Sequence, residues 1–183
     1  MLRVGKSEGA TEMIGIVKAA RASSRAESLA MRIEEGAAKL AAFVEVLSEP
    51  EWQTPMSPTD RRSIAIVVHH VASVYPIEIQ LAQSIASGNP VLDVTWNLVA
   101  ELNTKHAEDY LHVTKSAALE LLRQNSQAAA AAVRDFTDAL LDTAAPFSLS
   151  FGAPVTAQFV IEDHALRHSW HHLAGIKKAL ARE

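Results

Sequence analysis

Four of the chain's eight histidines fall within residues 163–176, DHALRHSWHHLAGI: His164, His168, His171 and His172. Two more, His69 and His70, stand side by side in IAIVVHHVASV. An imidazole can offer a nitrogen lone pair to a metal, carry a proton, or serve as a polar member of a core. Helix geometry helps to separate these roles. An α-helix turns about 100° per residue, so residues four apart share a face. With His168 as reference, His164 and His172 lie about 40° to either side. Ala157, Ile161, Ala165, Gly175, Ile176 and Ala179 complete that face, and His171 sits nearer its edge. On the earlier segment His70 shares its face with Ile66, Val67, Val74, Ile77 and Leu81. His69 is turned about 100° away from it. Two imidazoles on one helix and a third from a facing helix make a three-nitrogen set for a divalent metal, with a coordination position open to water or substrate. The competing reading is a group of core imidazoles, each needing a hydrogen-bond partner. Spacing alone leaves open which of His164, His168, His171 and His172 complete the set.

Composition narrows the chemistry further. The chain has 183 residues, 49% hydrophobic and 21% charged, as expected of one globular domain with a full core. Cysteine is absent, which excludes disulfides, protein thiolate chemistry and cysteine-type zinc sites. A metal must therefore be held by nitrogen and oxygen. The formal charge is −4 and no basic run occurs, so no nucleic-acid partner is expected. The N-terminal stretch lacks the apolar core of a signal peptide, and no membrane span is expected, so a cytoplasmic protein is the default.

The elements that must position the histidines are helical. Residues 24–48 repeat Leu29, Ile33, Ala37, Leu40, Val44 and Leu47 at helical spacing. Residues 49–60 hold three prolines and read as a loop, with Asp60 or Ser63 as cap of the next helix. That second helix runs over 61–87, is expected to kink at Pro76, and ends at Gly88-Asn89-Pro90. Residues 95–112 and 114–141 read as a short and a long helix, with Thr114 as N-cap of the second. Residues 142–153 read as a loop or short extended segment, and 154–181 as the last helix with Pro154 in its first turn. The expectation is an all-α four-helix bundle with one extra short helix, a single domain over residues 21–183 preceded by a separate segment at 1–20. A second apolar stripe on the last helix, Val155, Phe159, Leu166, Trp170, Leu173 and Leu180, is suited to a neighbouring helix or to a second subunit, and a homodimer is modestly favoured.

VVHHVAS and RHSWHHLAGI resemble the two metal-binding segments of the DinB-like superfamily, in particular its YfiT-type metal-dependent hydrolases and bacillithiol transferases. The resemblance spans about residues 25–181 in helix order and motif placement. It implies a four-helix bundle holding a divalent metal, zinc or nickel foremost and iron also open, through three histidines. The family's ligand before a small apolar turn in the second helix matches His70, and its pair on the last helix matches His168 and His172. It also implies an enzyme acting on a small molecule, with water or a low-molecular-weight thiol activated for hydrolysis or transfer. Where relatives carry a Trp-Gly start to the second helix, this chain reads SPTDRRS.

Other constellations fare worse. A di-iron bundle needs two Glu-x-x-His motifs, and only Asp109-x-x-His112 is present, in a stretch that reads as a solvated face. HExxH, GxGxxG and P-loop motifs are absent. Glu162 and Asp163 are turned more than about 100° from His168 and read as exposed charges. The remaining alternative is a non-enzymatic bundle with a structural metal or none; a fourth ligand from His164 or His171 would favour it.

Overall fold

The computed structural model describes residues 23–182. The separate segment expected at 1–20 lies outside the described residues. Four long helices form the bundle: α1 (Ser24–Glu45), α3 (Ile64–Ala86), α5 (Lys115–Arg134), and a final helix built from α7 (Ala157–Val160), a π-helical segment (Ile161–Leu166) and α8 (Arg167–Ala179). Short elements join them: α2 (Glu49–Trp52), α4 (Trp96–Asp109), α6 (Asp138–Asp142) and the antiparallel strands β1 (Ala144–Pro146) and β2 (Pro154–Thr156). Around the bundle α1 packs on α5, α5 on α3, α3 on the final helix, and the final helix on α1.

Each long helix starts where a hydroxyl can satisfy a free backbone N–H. Ser23, Ser63, Thr114 and Thr156 accept from the amides of Ala26, Ile66, Ala117 and Phe159. Ser63, rather than Asp60, therefore caps α3. The α1 stripe Leu29, Ile33, Ala37, Leu40 and Val44 is buried as its periodicity predicts. The α3 helix has the length and composition to cross a membrane, yet most of it lies inside the bundle. Its hydrocarbon face centres on Val68, Val71, Ala72, Tyr75, Ile79 and Ala82. Ile77, expected on the core face with His70, is 53% exposed. His70 therefore lies at the margin of the hydrocarbon, facing the final helix.

Pro76 sits inside α3 and has no N–H to give the carbonyl of Ala72, four residues back. Asn125 on α5 fills the gap: its Nδ2 donates to that carbonyl at 2.8 Å. The helix thus stays continuous through the proline, six residues beyond His70.

Three expectations are corrected. The loop at 49–60 contains α2, whose Trp52 is fully buried. The helix read as 114–141 breaks after Arg134, and Thr137 caps the short α6. Pro154 is in β2, and the last helix starts at Ala157 behind its Thr156 cap. Strand pairing of Ala144–Pro146 with Pro154–Thr156 satisfies the backbone of what reads, by composition, as a loop or short extended segment. The middle of the second apolar stripe packs within the chain: Leu166 and Leu173 are buried, and Trp170 lies so close to α1 that a Cβ on Gly36 would be 2.6 Å from its Nε1, whereas Phe159 is 42% exposed.

Candidate metal centre

The seam between α3 and the final helix gathers His70, His168 and His172, each offering one ring nitrogen within 4.8 Å of the other two. His70 Nε2 and His168 Nε2 are 3.2 Å apart. The rings of His168 and His172 stack at 4.9 Å between centroids, and His70 stands edge-on to His172 at 5.7 Å. Regular α-geometry over Arg167–Ala179 puts His168 and His172 one turn apart, as the four-residue spacing requires. Among the described residues, neither ring nitrogen of His172 has a hydrogen-bond partner, only ring contacts.

Burial is the first cause of the electrostatics here. It pushes His70 down to about 3 and His172 down to about 2, from the ordinary 6.5, and the neighbouring imidazoles add to both shifts. Both rings are neutral at pH 7, with lone pairs free for a cation. Arg62 contributes to the same shifts from nearby. Its guanidinium is held by Asp60, Nε to Oδ1 at 2.9 Å and Nη2 to Oδ2 at 2.7 Å.

The other histidines fall elsewhere. The π-helical turn is wider than an α-turn, so the four-residue rule does not carry from His168 back to His164. His164 instead stands edge-on to Phe147 at 5.6 Å, half-buried. His171 is exposed. Neither belongs to the three-nitrogen group, so no fourth histidine closes it. His69 is buried but faces α4, where its Nδ1 lies 2.9 Å from His106 Nε2 and its ring lies 3.8 Å from that of Tyr110. The α4 stretch read as a solvated face is therefore only partly so. Lys105, Asp109 and His112 are exposed, whereas His106 is half-buried and 5.6 Å from the His70 ring. Glu162 hydrogen-bonds Gln158 and Asp163 pairs with Arg167, away from the three-nitrogen group.

One functional residue escaped the sequence reading altogether. Glu78 is buried on α3, and His168 Nδ1 lies 2.5 Å from its Oε1. Its Oε2 is buried with no hydrogen-bond partner. The signal was present, because Glu78 is the only charged residue in the 23 residues of α3. At eight residues beyond His70 it lies about 80° around the helix from it.

A cleft of about 510 Å³ opens between the start of α3 and α4. Arg62, Ile66, Asn103, Thr104 and Ala107 are among the residues lining it. Ile66 is one turn before His70 and Ala107 adjoins His106, and none of the three grouped histidines is in the lining.

A profile of the DinB superfamily matches residues 32–176. The chain belongs to the DinB superfamily. Among solved structures it is similar to YfiT from Bacillus subtilis, at 20% identity and a TM-score of 0.68, over 86% of this chain and 89% of that one. YfiT is described as a probable metal-dependent hydrolase with an unusual four-helix bundle topology. At that identity the likeness shows the fold, which agrees with the bundle expected here. No curated protein matches the chain.

Proposed function

We propose that His70, His168 and His172 hold one divalent cation and that the chain is a metal-dependent enzyme acting on a small molecule. The observation that carries this is the donor set: three nitrogens within 4.8 Å of one another, with no fourth histidine or carboxylate in the group among the described residues. His70 and His172 are neutral and spend no proton on binding a cation. Imidazole donors suit zinc, nickel and iron, with zinc and nickel first. A divalent ion, when bound, supplies Lewis acidity that makes a water or a low-molecular-weight thiol nucleophilic near neutral pH. The description of YfiT and the family membership support hydrolysis as the reaction class; transfer of such a thiol is the second class that the sequence resemblance implies.

The chain's own residues have separable parts in this reading. His70 comes from α3 and the other two from α8, so the seam must stay registered for the three nitrogens to meet. Asn125 keeps α3 continuous through Pro76, and Asp60 holds Arg62 at the cleft wall. The test is metal loading followed by hydrolase and thiol-transferase screens. Activity that needs the metal and disappears in His172→Ala supports the reading. A fully loaded protein whose metal is closed off from small thiols and anions would make the site structural.

A further inference from the structure

We infer that Glu78 is the positioning residue of His168, fixing the ring so that Nδ1 carries the proton and Nε2 is presented to the cation. The inference rests on the three-histidine reading above and deepens it.

A buried carboxylate is costly unless it is paired and hydrogen-bonded. Glu78 is 5% exposed in an otherwise uncharged helix, and no lysine or arginine pairs with it among the described residues. Its one hydrogen-bond partner among the described residues is His168 Nδ1, at 2.5 Å. A carboxylate oxygen accepts, so Nδ1 is the donor and the remaining lone pair of the ring is on Nε2. That same Nε2 lies 3.2 Å from His70 Nε2, inside the three-nitrogen group. The chain from Glu78 through His168 thus ends at the atom a cation needs.

The unpartnered Oε2 strengthens the argument. A carboxylate kept for stability would be expected to satisfy both oxygens, and this one satisfies a single oxygen, toward a single ring. What it supplies to that ring is orientation, tautomer and added basicity, which are what a metal-binding histidine takes from an acid behind it. The negative charge, which lacks a cationic side chain opposite it, is compensated across the ring once a cation is held.

The test compares wild type with Glu78→Leu and Glu78→Gln, all tag-free and stripped of metal. Zinc affinity is measured by competition with a chromophoric chelator. Glu78→Leu is expected to bind zinc about 10–100-fold more weakly than wild type. Glu78→Gln keeps an acceptor oxygen without the charge and is expected to fall between them. Circular dichroism checks that each variant is folded, and the glutamine variant carries the test should the leucine variant fail to fold. The ring nitrogen shifts of His168 in the metal-free proteins give a second readout. Wild type and Glu78→Gln should show the proton on Nδ1, and Glu78→Leu should lose that preference. Equal zinc affinity in all three proteins, or an unchanged His168 tautomer in Glu78→Leu, overturns the inference while leaving the metal site standing. Wild type that takes up no zinc at all overturns the three-histidine reading, and this inference with it.

Discussion

Replacing Asn125 with alanine isolates one bond on which the continuity of α3 depends. Its Nδ2 donates to the Ala72 carbonyl at 2.8 Å, the carbonyl that Pro76 leaves without an in-helix partner. Ala72 is fully buried, so water does not readily replace the amide. An orphaned buried acceptor costs about 1–3 kcal/mol. For a chain of this length that lowers the melting temperature by roughly 2–12 °C, at about 2–4 °C per kcal/mol. The explanation has a sharper consequence. In a Pro76→Ala background the new N–H reaches the Ala72 carbonyl from within the helix, and Pro76 is exposed, so the exchange opens no cavity. Asn125→Ala should then cost less than about 0.5 kcal/mol, leaving a coupling energy of about 0.5 kcal/mol or more. Urea denaturation of the four proteins, read by circular dichroism, measures it. Changes in unfolded-state entropy from removing proline cancel in the cycle. Equal costs for Asn125→Ala in the two backgrounds would refute the reasoning.

Three further outcomes are expected. In the metal-free protein, burial holds His70 at about 3 and His172 at about 2, both below the ordinary 6.5, so the unfolded chain binds protons that the native state refuses. The stability these neutral rings contribute is intact above pH 6.5 and erodes as the pH falls toward their native values; together they remove about 3 kcal/mol between pH 6.5 and 5, and equal urea midpoints at pH 7 and 5 would contradict it. Gly36→Val drives a side chain into the Trp170 indole, where even a Cβ would lie 2.6 Å from Nε1, and should cost about 1–3 kcal/mol in thermal or urea unfolding. His164→Ala should leave metal stoichiometry unchanged and His172→Ala should abolish it, because only the second ring joins the three-nitrogen group; loss of metal in both variants would contradict the assignment.

The bundle and the histidine triad were legible because both segments around the triad are regular α-helix. Rotation places His168 and His172 together on one face of the last helix and His70 on the core face of the second, and the family resemblance selects these three. His164 passed the same rotational test and lies elsewhere, because the π-helical Ile161–Leu166 changes the turn width just before His168. Hydrophobic spacing carries no mark of that local change. A short extended segment was open at β1, but its pairing with β2 was not legible, because three-residue strands offer too few residues for alternation to show and Pro154 suits a first helical turn as well as a strand. The His69–His106 contact depends on α4 lying across α3, a tertiary fact that neither segment encodes alone. Glu78 is the instructive omission. A lone carboxylate within a buried apolar helix needs a partner on physical grounds, and asking what that partner was would have led to His168.

The central claim is that three imidazoles hold one divalent cation. Elemental analysis of purified, tag-free protein, wild type against His168→Ala, tests it most directly, with titration by zinc or nickel where the protein is isolated without metal. The account predicts close to one equivalent per chain in wild type and none retained by a folded His168→Ala. Wild type that carries no metal and takes up none would contradict it, leaving the seam as a hydrogen-bonded polar network within the core.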